Sequence, residues 1–442
     1  KVTVDFYLIN EKNVRGNHQL KISVTDYQGK VMEVGTYETE AAGGEVYGQL
    51  LVKDVKIPVP TAGGLCRIEA KLCKENSVVT TGYDDILSVN LASNMLDGKG
   101  AVWEDGSALQ NFLKGKTKEA VAAYEDNLGK LDWIMVARPP RKDQLTMVPM
   151  EALRSADGKP GLDVVYYEDM EFQKEVYHEV AKVVNLSAIE GATPSPFVYM
   201  LDGYGIKWSG KLLPSVSGEY TIIPQSNDRS MIEVFVNGKK IYEITRKKEH
   251  LGDGKVYLEE GKSADIEIRF RHPRSNARCR LDWAVPNDKM PDAQRLMERA
   301  VNDGTKIFII QSADEWSEFI AANSKAVFKD KFFVGTNWLG GVMFNKPHDI
   351  FKELPVGNAL NWPYQALIHT GVERMGLVME GEELLVGAYH TYPMAIGTAM
   401  GIVPMGKGSV LFSTLDIYGN IINDSAAGLV AKKLIFNMID FK

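Results

Sequence analysis

Through the middle of the chain the polar and apolar positions alternate. Ile206, Trp208 and Leu212 recur at every second position, with Gly210 between them, and Ile232, Val234 and Val236 do the same further on. A period of two predicts strands that bury one face. Asn237-Gly238 separates MIEVFV from KKIYEI and is the pair that a two-residue hairpin turn prefers, because both central residues need positive φ. Glu260-Gly261-Lys262 divides two further alternating runs in the same way. On either side the period changes. Ala108, Leu109, Phe112 and Leu113 have helical spacing after a short strand at 100–103, and LDWIMVA reads as a buried strand. Beyond residue 290, PDAQRLMERAVNDG predicts an amphipathic helix with Asp292 near its start and Gly304 at its end. KIFIIQS, ADEWSEFIAAN, KGSVLFSTLDI and SAAGLVAKKLIFNMIDF then alternate strand and helix, which predicts a mostly parallel sheet with helices on both faces. Before all of this, residues 1–89 carry short strands punctuated by turns every 8 to 12 residues or so, the pattern of a β-sandwich.

The expected organisation is therefore a β-sandwich at 1–89, an α/β domain split into 90–140 and 289–442, and a second β-sandwich at 141–288 inserted into it. The 442 residues suffice for three cores of ordinary size. A formal charge of −7 argues against nucleic acid as a partner, and no apolar run approaches the length of a membrane span. Arg269, Arg271, His272, Arg274, Arg278 and Arg280 form the basic concentration of the chain and are expected at a solvated hairpin tip. Cys66, Cys73 and Cys279 lack zinc or redox spacing. Cys66 and Cys73 are expected in one hairpin, where a bridge is geometrically open, with free buried thiols the preferred reading. The chain opens at Lys1 inside an alternating strand, which gives the expectation of a fragment of a longer protein.

Three resemblances add to this. GLDVVYYEDMEF, KWSGKLLPSVSGEYTI, SNDRSMIEVFVNGKKI, VYLEEGKSADIEIRFR and CRLDW follow the order of the β-sandwich module named after the anthrax protective antigen, over roughly residues 161–286. TVDFYLINEKNVRGNHQLKISVTDYQGKV and GGEVYGQLLV resemble the immunoglobulin-like sandwich of glycoside hydrolase family 2 enzymes of gut Bacteroidetes. GTNWLGGVMF, HDIFKELPVGNALNWPYQ, EGEELLVGA and IGTAMGIVPMGKGSVLFSTLDI resemble the flavodoxin-like, glutamine-amidotransferase-like domain of β-galactosidase-type proteins. Together they imply a C-terminal, non-catalytic accessory region of a secreted or periplasmic β-galactosidase-like glycoside hydrolase. Its partners would be an oligo- or polysaccharide and a catalytic barrel elsewhere in the same polypeptide. The alternatives are a structural or homo-oligomerising module of the same enzyme, and a hydrolase in its own right.

Candidate chemistry is sparse. An amidotransferase needs a nucleophilic Cys at a strand-to-helix turn, and the turns after LDWIMVA and KIFIIQS carry Arg138-Pro139-Pro140 and Ser312-Ala313-Asp314. The adjacent acids Asp84-Asp85, Glu259-Glu260 and Glu382-Glu383 are expected in or beside turns, and no stretch is left for a (β/α)8 barrel. Ser312 and Asp314 with His348, His369 or His390 could form a triad only without the Gly-x-Ser-x-Gly elbow. The glycines at 397, 401, 406 and 408 are read as hairpin and close-packing positions, not as a phosphate loop. No catalytic residue, cofactor or metal site is assigned. The Asp-Asp pair with which some sugar-binding relatives of the inserted module hold calcium does not occur at 161–286. Sugar contact is expected instead from Tyr199 and Tyr204, for stacking, and from Asn227, Asp228 and Arg229, for hydrogen bonding. Trp208 is expected in the sandwich core. Trp338, Trp362 and Tyr364 are expected in long irregular segments and assigned to interface packing.

Overall fold

The structure is a computed structural model that describes all residues except 61–62, 76, 92–94, 141–144, 189–192, 227–229, 275, 287–290, 335–340, 370–374, 392–393, 424–425 and 442, and only the backbone of 369, 426 and 427. The chain divides into two compact units, one of Lys1–Ser93 with His348–Val356 and one of Asn94–Pro347 with Gly357–Lys442.

In the first unit, Val2–Ile9 pairs antiparallel with Gly48–Ile57, and a four-stranded antiparallel sheet runs Val31–Ala42, Arg15–Thr25, Gly64–Lys74, Ser77–Ser88. Alternate residues Leu20, Ile22 and Val24 face Cys66, Ile68 and Leu72 in one core with Leu8, Val55 and Ile57. Cys66 and Cys73 both lie on Gly64–Lys74, not on two arms of a hairpin. Seven residues of extended strand span roughly 23 Å, too far for a disulfide. All three cysteines are free and buried. The 3₁₀ turn Asp349–Phe351, from a segment expected in the α/β part, belongs to this unit and is started by His348, whose ring accepts from Ile350 N at 3.2 Å.

The second unit holds a sandwich and a mixed sheet. One sandwich sheet is ordered Thr146–Met147, Ala277–Ala284, Gly218–Ser226, Lys255–Leu258, with Asn185–Ala188 also on Ala277–Ala284. The other runs Glu175–Ala181, Leu162–Tyr167, Tyr204–Leu212, Ala264–His272, Met231–Val236, Lys239–Ile244, His250–Leu251. All of these pairings are antiparallel, with Trp208 opposite Ile268 and Val234 opposite the same Ile268. The parity read from the sequence is the buried parity: Ile206, Trp208, Leu212, Ile232, Val234 and Val236 all lie in the core. Asn237 and Gly238 turn the hairpin with φ of 49° and 76°, as its two-residue loop requires. Of the basic residues expected at a solvated hairpin tip, Arg274 is exposed in the turn between Ala264–His272 and Ala277–Ala284, whereas three arginines are ion-paired within the strands. Arg271 Nη1 lies 2.7 Å from Glu233, Arg269 pairs with Glu267, and Arg280 pairs with Asp282. His272 is fully buried.

In the mixed sheet, Ala122–Ala123, Gly100–Glu104, Trp133–Ala137, Lys306–Ile309 and Gly408–Ser413 lie side by side and parallel. Numbered along the chain, their order is 2-1-3-4-5. Half of the ten strands are antiparallel additions: Met394–Met405, Met375–Glu380, Val327–Phe333, Glu383–Thr391 and Val342–Asn345. The expectation of a mostly parallel sheet is corrected accordingly. Gly397 and Gly401 lie within Met394–Met405, where a Cβ on Gly397 would stand 2.5 Å from the Leu377 carbonyl oxygen, and Gly406 turns the hairpin at φ 59°. Trp362 is exposed on a 3₁₀ turn, Tyr364 is buried with its hydroxyl 3.3 Å from Asn345 Nδ2, and Trp338 lies outside the described residues. The helix Ala293–Asp303 starts on Asp292, whose carboxylate accepts from Gln294 N, and ends at Gly304 with φ 78°. It contributes Leu296, Met297 and Ala300 to a core shared with Ile134, Val136 and Ile307, despite the long gap in sequence. None of the described helices is long and apolar enough to cross a membrane.

Every buried residue of the sandwich core lies between Val148 and Trp283. Residues 145–286 are therefore expected to express alone as a folded, all-β domain, checked by circular dichroism and a cooperative urea transition; a molten or insoluble fragment would show that the mixed sheet is needed to close it.

Candidate carbohydrate-binding surface

The sandwich carries an exposed aromatic shelf on the loop before Tyr204–Leu212. Thr193 Oγ1 donates to the Ser195 carbonyl at 2.9 Å, and Val198 N to the same oxygen at 3.2 Å, so the loop starts from a closed turn. From there the side chains alternate without a ladder. Val198 and Met200 point into the core at 6% and 5% exposure, while Phe197, Tyr199 and Leu201 stand outside at 68%, 71% and 50%. Two buried anchors thus hold three outward apolar groups. The Phe197 ring leans on Tyr177, centroids 5.1 Å apart. Tyr199 donates its hydroxyl to Glu168 Oε2 at 2.5 Å, and Lys174 Nζ lies 3.3 Å from the same carboxylate. Those two partners hold the Glu168 carboxyl below the usual range, and the bond to Glu168 pushes the Tyr199 hydroxyl up. Glu168 is placed by its neighbour Asp169, whose carboxylate accepts from the backbone N–H of Glu171, Gln173 and Lys174 and closes the hairpin after Leu162–Tyr167. Rings with a flanking carboxylate and ammonium can stack on the C–H face of a pyranose while orienting its hydroxyls.

Of the residues read from the sequence, Tyr199 is on this shelf. Tyr204 is not: it is fully buried against Phe270 and His272, and cannot stack on an external ligand. Asn227, Asp228 and Arg229 lie outside the described residues. Trp208 is in the core, as its parity requires. Glu168 and Lys174 were missed; the signal was the polar run after YY in VVYYEDMEF, at the end of a strand whose inward residues are Leu162, Val164 and Tyr166.

The strand-end turns assemble no triad among the described residues. Ser312 follows Lys306–Ile309 with φ 54°, at the start of the helix Ala313–Ala322. Asp314 is paired with Lys331 at 2.7 Å, His348 is engaged by Ile350 N, and the His369 side chain lies outside the description. Asp84 and Asp85 sit inside the strand Ser77–Ser88, not beside a turn, and Asp85 is held by Arg67 at 2.8 Å. Among the described residues no group of three or more His, Cys, Asp or Glu side chains is arranged to hold a metal ion.

Residues 158–295 match the PA14 domain. This stretch takes in the shelf and most of the sandwich. The anti-sigma-I factor RsgI3 of Acetivibrio thermocellus is 27% identical over 127 residues, which is 28% of this chain and 19% of that protein. The chain thus spans about a fifth of the curated relative it matches. Among solved structures, a β-glucosidase from Kluyveromyces marxianus in complex with glucose aligns at 12% identity and TM-score 0.32, over 49% of this chain and 28% of that one. The epithelial adhesin 9 A domain of Candida glabrata, in complex with Galβ1-4GlcNAc, aligns at 13% identity and TM-score 0.24, over 34% of this chain and 90% of that one.

Within the PA14 domain the Tyr204 hydroxyl is buried without a hydrogen-bond partner among the described residues. Tyr204→Phe is expected to leave stability unchanged or raise it by about 1 kcal/mol, since it removes an unsatisfied polar group, whereas Tyr204→Ala costs about 3 to 5 kcal/mol through the cavity it leaves. Urea denaturation of both variants checks this.

Proposed function

We propose that this chain is a non-catalytic accessory region of a secreted or periplasmic glycoside hydrolase, β-galactosidase-like and of family 2, and that its PA14 sandwich contacts extracellular glycans. The observation that carries the reading is the shelf: two aromatic rings about 70% exposed, fixed from beneath by buried neighbours and flanked by Glu168. Apolar groups exposed side by side, rather than singly, mark a surface that a partner contacts. The match to the PA14 domain supports the same reading. The parallel strand order 2-1-3-4-5 is the order of flavodoxin-like sheets and supports the reading of the split region as flavodoxin-like and amidotransferase-like. The catalytic barrel would belong to the same polypeptide.

Binding at an open shelf is weak, with a dissociation constant on the order of 0.1 to 1 mM. An NMR titration with galactosides, glucuronides and plant oligosaccharides is expected to shift the resonances of residues 195–201 and 168–174. Tyr199→Ala and Phe197→Ala are each expected to weaken binding about tenfold with an unchanged melting temperature. No shift in these segments with any of the glycans would overturn the reading.

A second reading, assembly into homo-oligomers, has one observation in its favour. Met394 and Ile396 are 76% and 65% exposed on one face of Met394–Met405, where Ile396 lies opposite Tyr389 and Tyr389 opposite Val342. Sedimentation decides it: a dimer that dissociates on Ile396→Lys would assign this face to subunit contact, and a monomer would remove the reading.

A further inference from the structure

A cavity of about 390 Å³ lies at the carboxyl ends of the parallel strands, where the turns after Lys306–Ile309 and Gly408–Ser413 meet the sandwich sheet. It is separate from the shelf and shares no residue with it. Crevices at this end of a parallel sheet are where such folds place their ligands. Its walls contain two buried acceptors with no hydrogen-bond partner among the described residues, Asn185 Oδ1 and Gln311 Oε1. One comes from the sandwich strand Asn185–Ala188, the other from the turn after Lys306–Ile309. Buried amide oxygens left unpaired are uncommon in folded proteins and call for a donor.

The charges in the same walls are already engaged. Asp282, almost fully buried, is held by both arms of Arg280 at 2.8 and 2.7 Å. Asp314 is paired with Lys331, and Asp416 accepts from Gly419 N at 3.0 Å as the cap of the helix Ile417–Ile421. With Glu315 also in the walls, four carboxylates against one guanidinium make the cavity unfavourable for an anion, although a helix begins beside it. What the walls leave unmet is neutral: two carbonyl oxygens that need O–H or N–H donors. The volume lies in the range of small-molecule sites.

We propose that this cavity is a second ligand site, which takes a neutral polyhydroxylated molecule of monosaccharide size, with the amides of Asn185 and Gln311 each turning out of the wall to accept from a ligand hydroxyl. Asn185 and Gln311 are positioned by the two different layers, so an occupant would bridge the sandwich and the mixed sheet.

The test uses the whole chain carrying Phe197→Ala and Tyr199→Ala together, which removes both rings of the shelf and keeps the outcomes of the two proposals apart. Glucose, galactose and myo-inositol are titrated by saturation-transfer NMR, with glucuronate and inorganic phosphate as anionic probes. At least one neutral polyol is expected to bind in the millimolar range, and Asn185→Leu and Gln311→Leu are each expected to weaken it about tenfold or more. Without ligand both variants are expected to melt at or above the parent temperature, because each removes an unpaired acceptor. Should either leucine fail to fold, Asn185→Ala and Gln311→Ala, which only enlarge the cavity, must give the same loss. Absence of binding by every neutral polyol, as for a cavity filled by water alone, preference for the anions, or unchanged affinity in both variants would overturn the proposal.

Discussion

The join between the mixed sheet and the sandwich rests on one buried ion pair, between Arg138 and Asp105. Asp105 follows the strand Gly100–Glu104 and Arg138 follows Trp133–Ala137, so the pair ties together the carboxyl ends of two neighbouring parallel strands. The second oxygen of Asp105 accepts from the Thr146 hydroxyl at 2.6 Å, and Thr146 pairs with Trp283 in the sandwich. The Arg138 carbonyl in turn accepts from Trp316 Nε1 at 2.7 Å, on the helix that follows the next parallel strand. Both charged groups are mostly buried, at 8% and 13% side-chain exposure. Breaking such a pair by removing one partner leaves a charge stranded in low dielectric, typically at a cost of about 3 to 5 kcal/mol. A single cluster thus closes the sheet at the place where the chain leaves it.

That arrangement explains how a sandwich can interrupt the sheet without breaking it. The first strand of the insert, Thr146–Met147, is hydrogen-bonded to the last, Ala277–Ala284, so the two ends of the insert leave and return side by side. Trp133–Ala137 can then pair in parallel with Lys306–Ile309 as if they were consecutive. The helix Ala293–Asp303 serves as an ordinary crossover between them, with Leu296 and Met297 fully buried.

Much of this was legible in the sequence because side-chain parity is a strict constraint wherever a sheet buries one face. The inward residues of Tyr204–Leu212 and Met231–Val236, the Asn-Gly turn and the caps of Ala293–Asp303 were all read from residue types and spacing alone. Tyr204 was misread because its aromatic character was weighed above its position; it shares parity with Ile206 and Trp208 and is buried for the same reason. The antiparallel half of the mixed sheet was hidden by its glycines. Gly387 lies under the Phe344 ring and Gly397 against the Leu377 carbonyl, so close packing there replaces the apolar side chains that would have marked the strands. The shelf was only half visible, because Glu168 is brought to Tyr199 by pairing across 31 residues, which local spacing does not encode.

The alternation at 197–201 separates two jobs that most binding loops combine. Val198 and Met200 fix the path of the backbone, so the outward positions contribute little to folding and are free to change chemistry. A ring can become an amide or a charge at 197, 199 or 201 while the loop keeps its course. One scaffold can in this way present many different faces to the world outside, with its ligand preference retuned by substitutions that the core never registers.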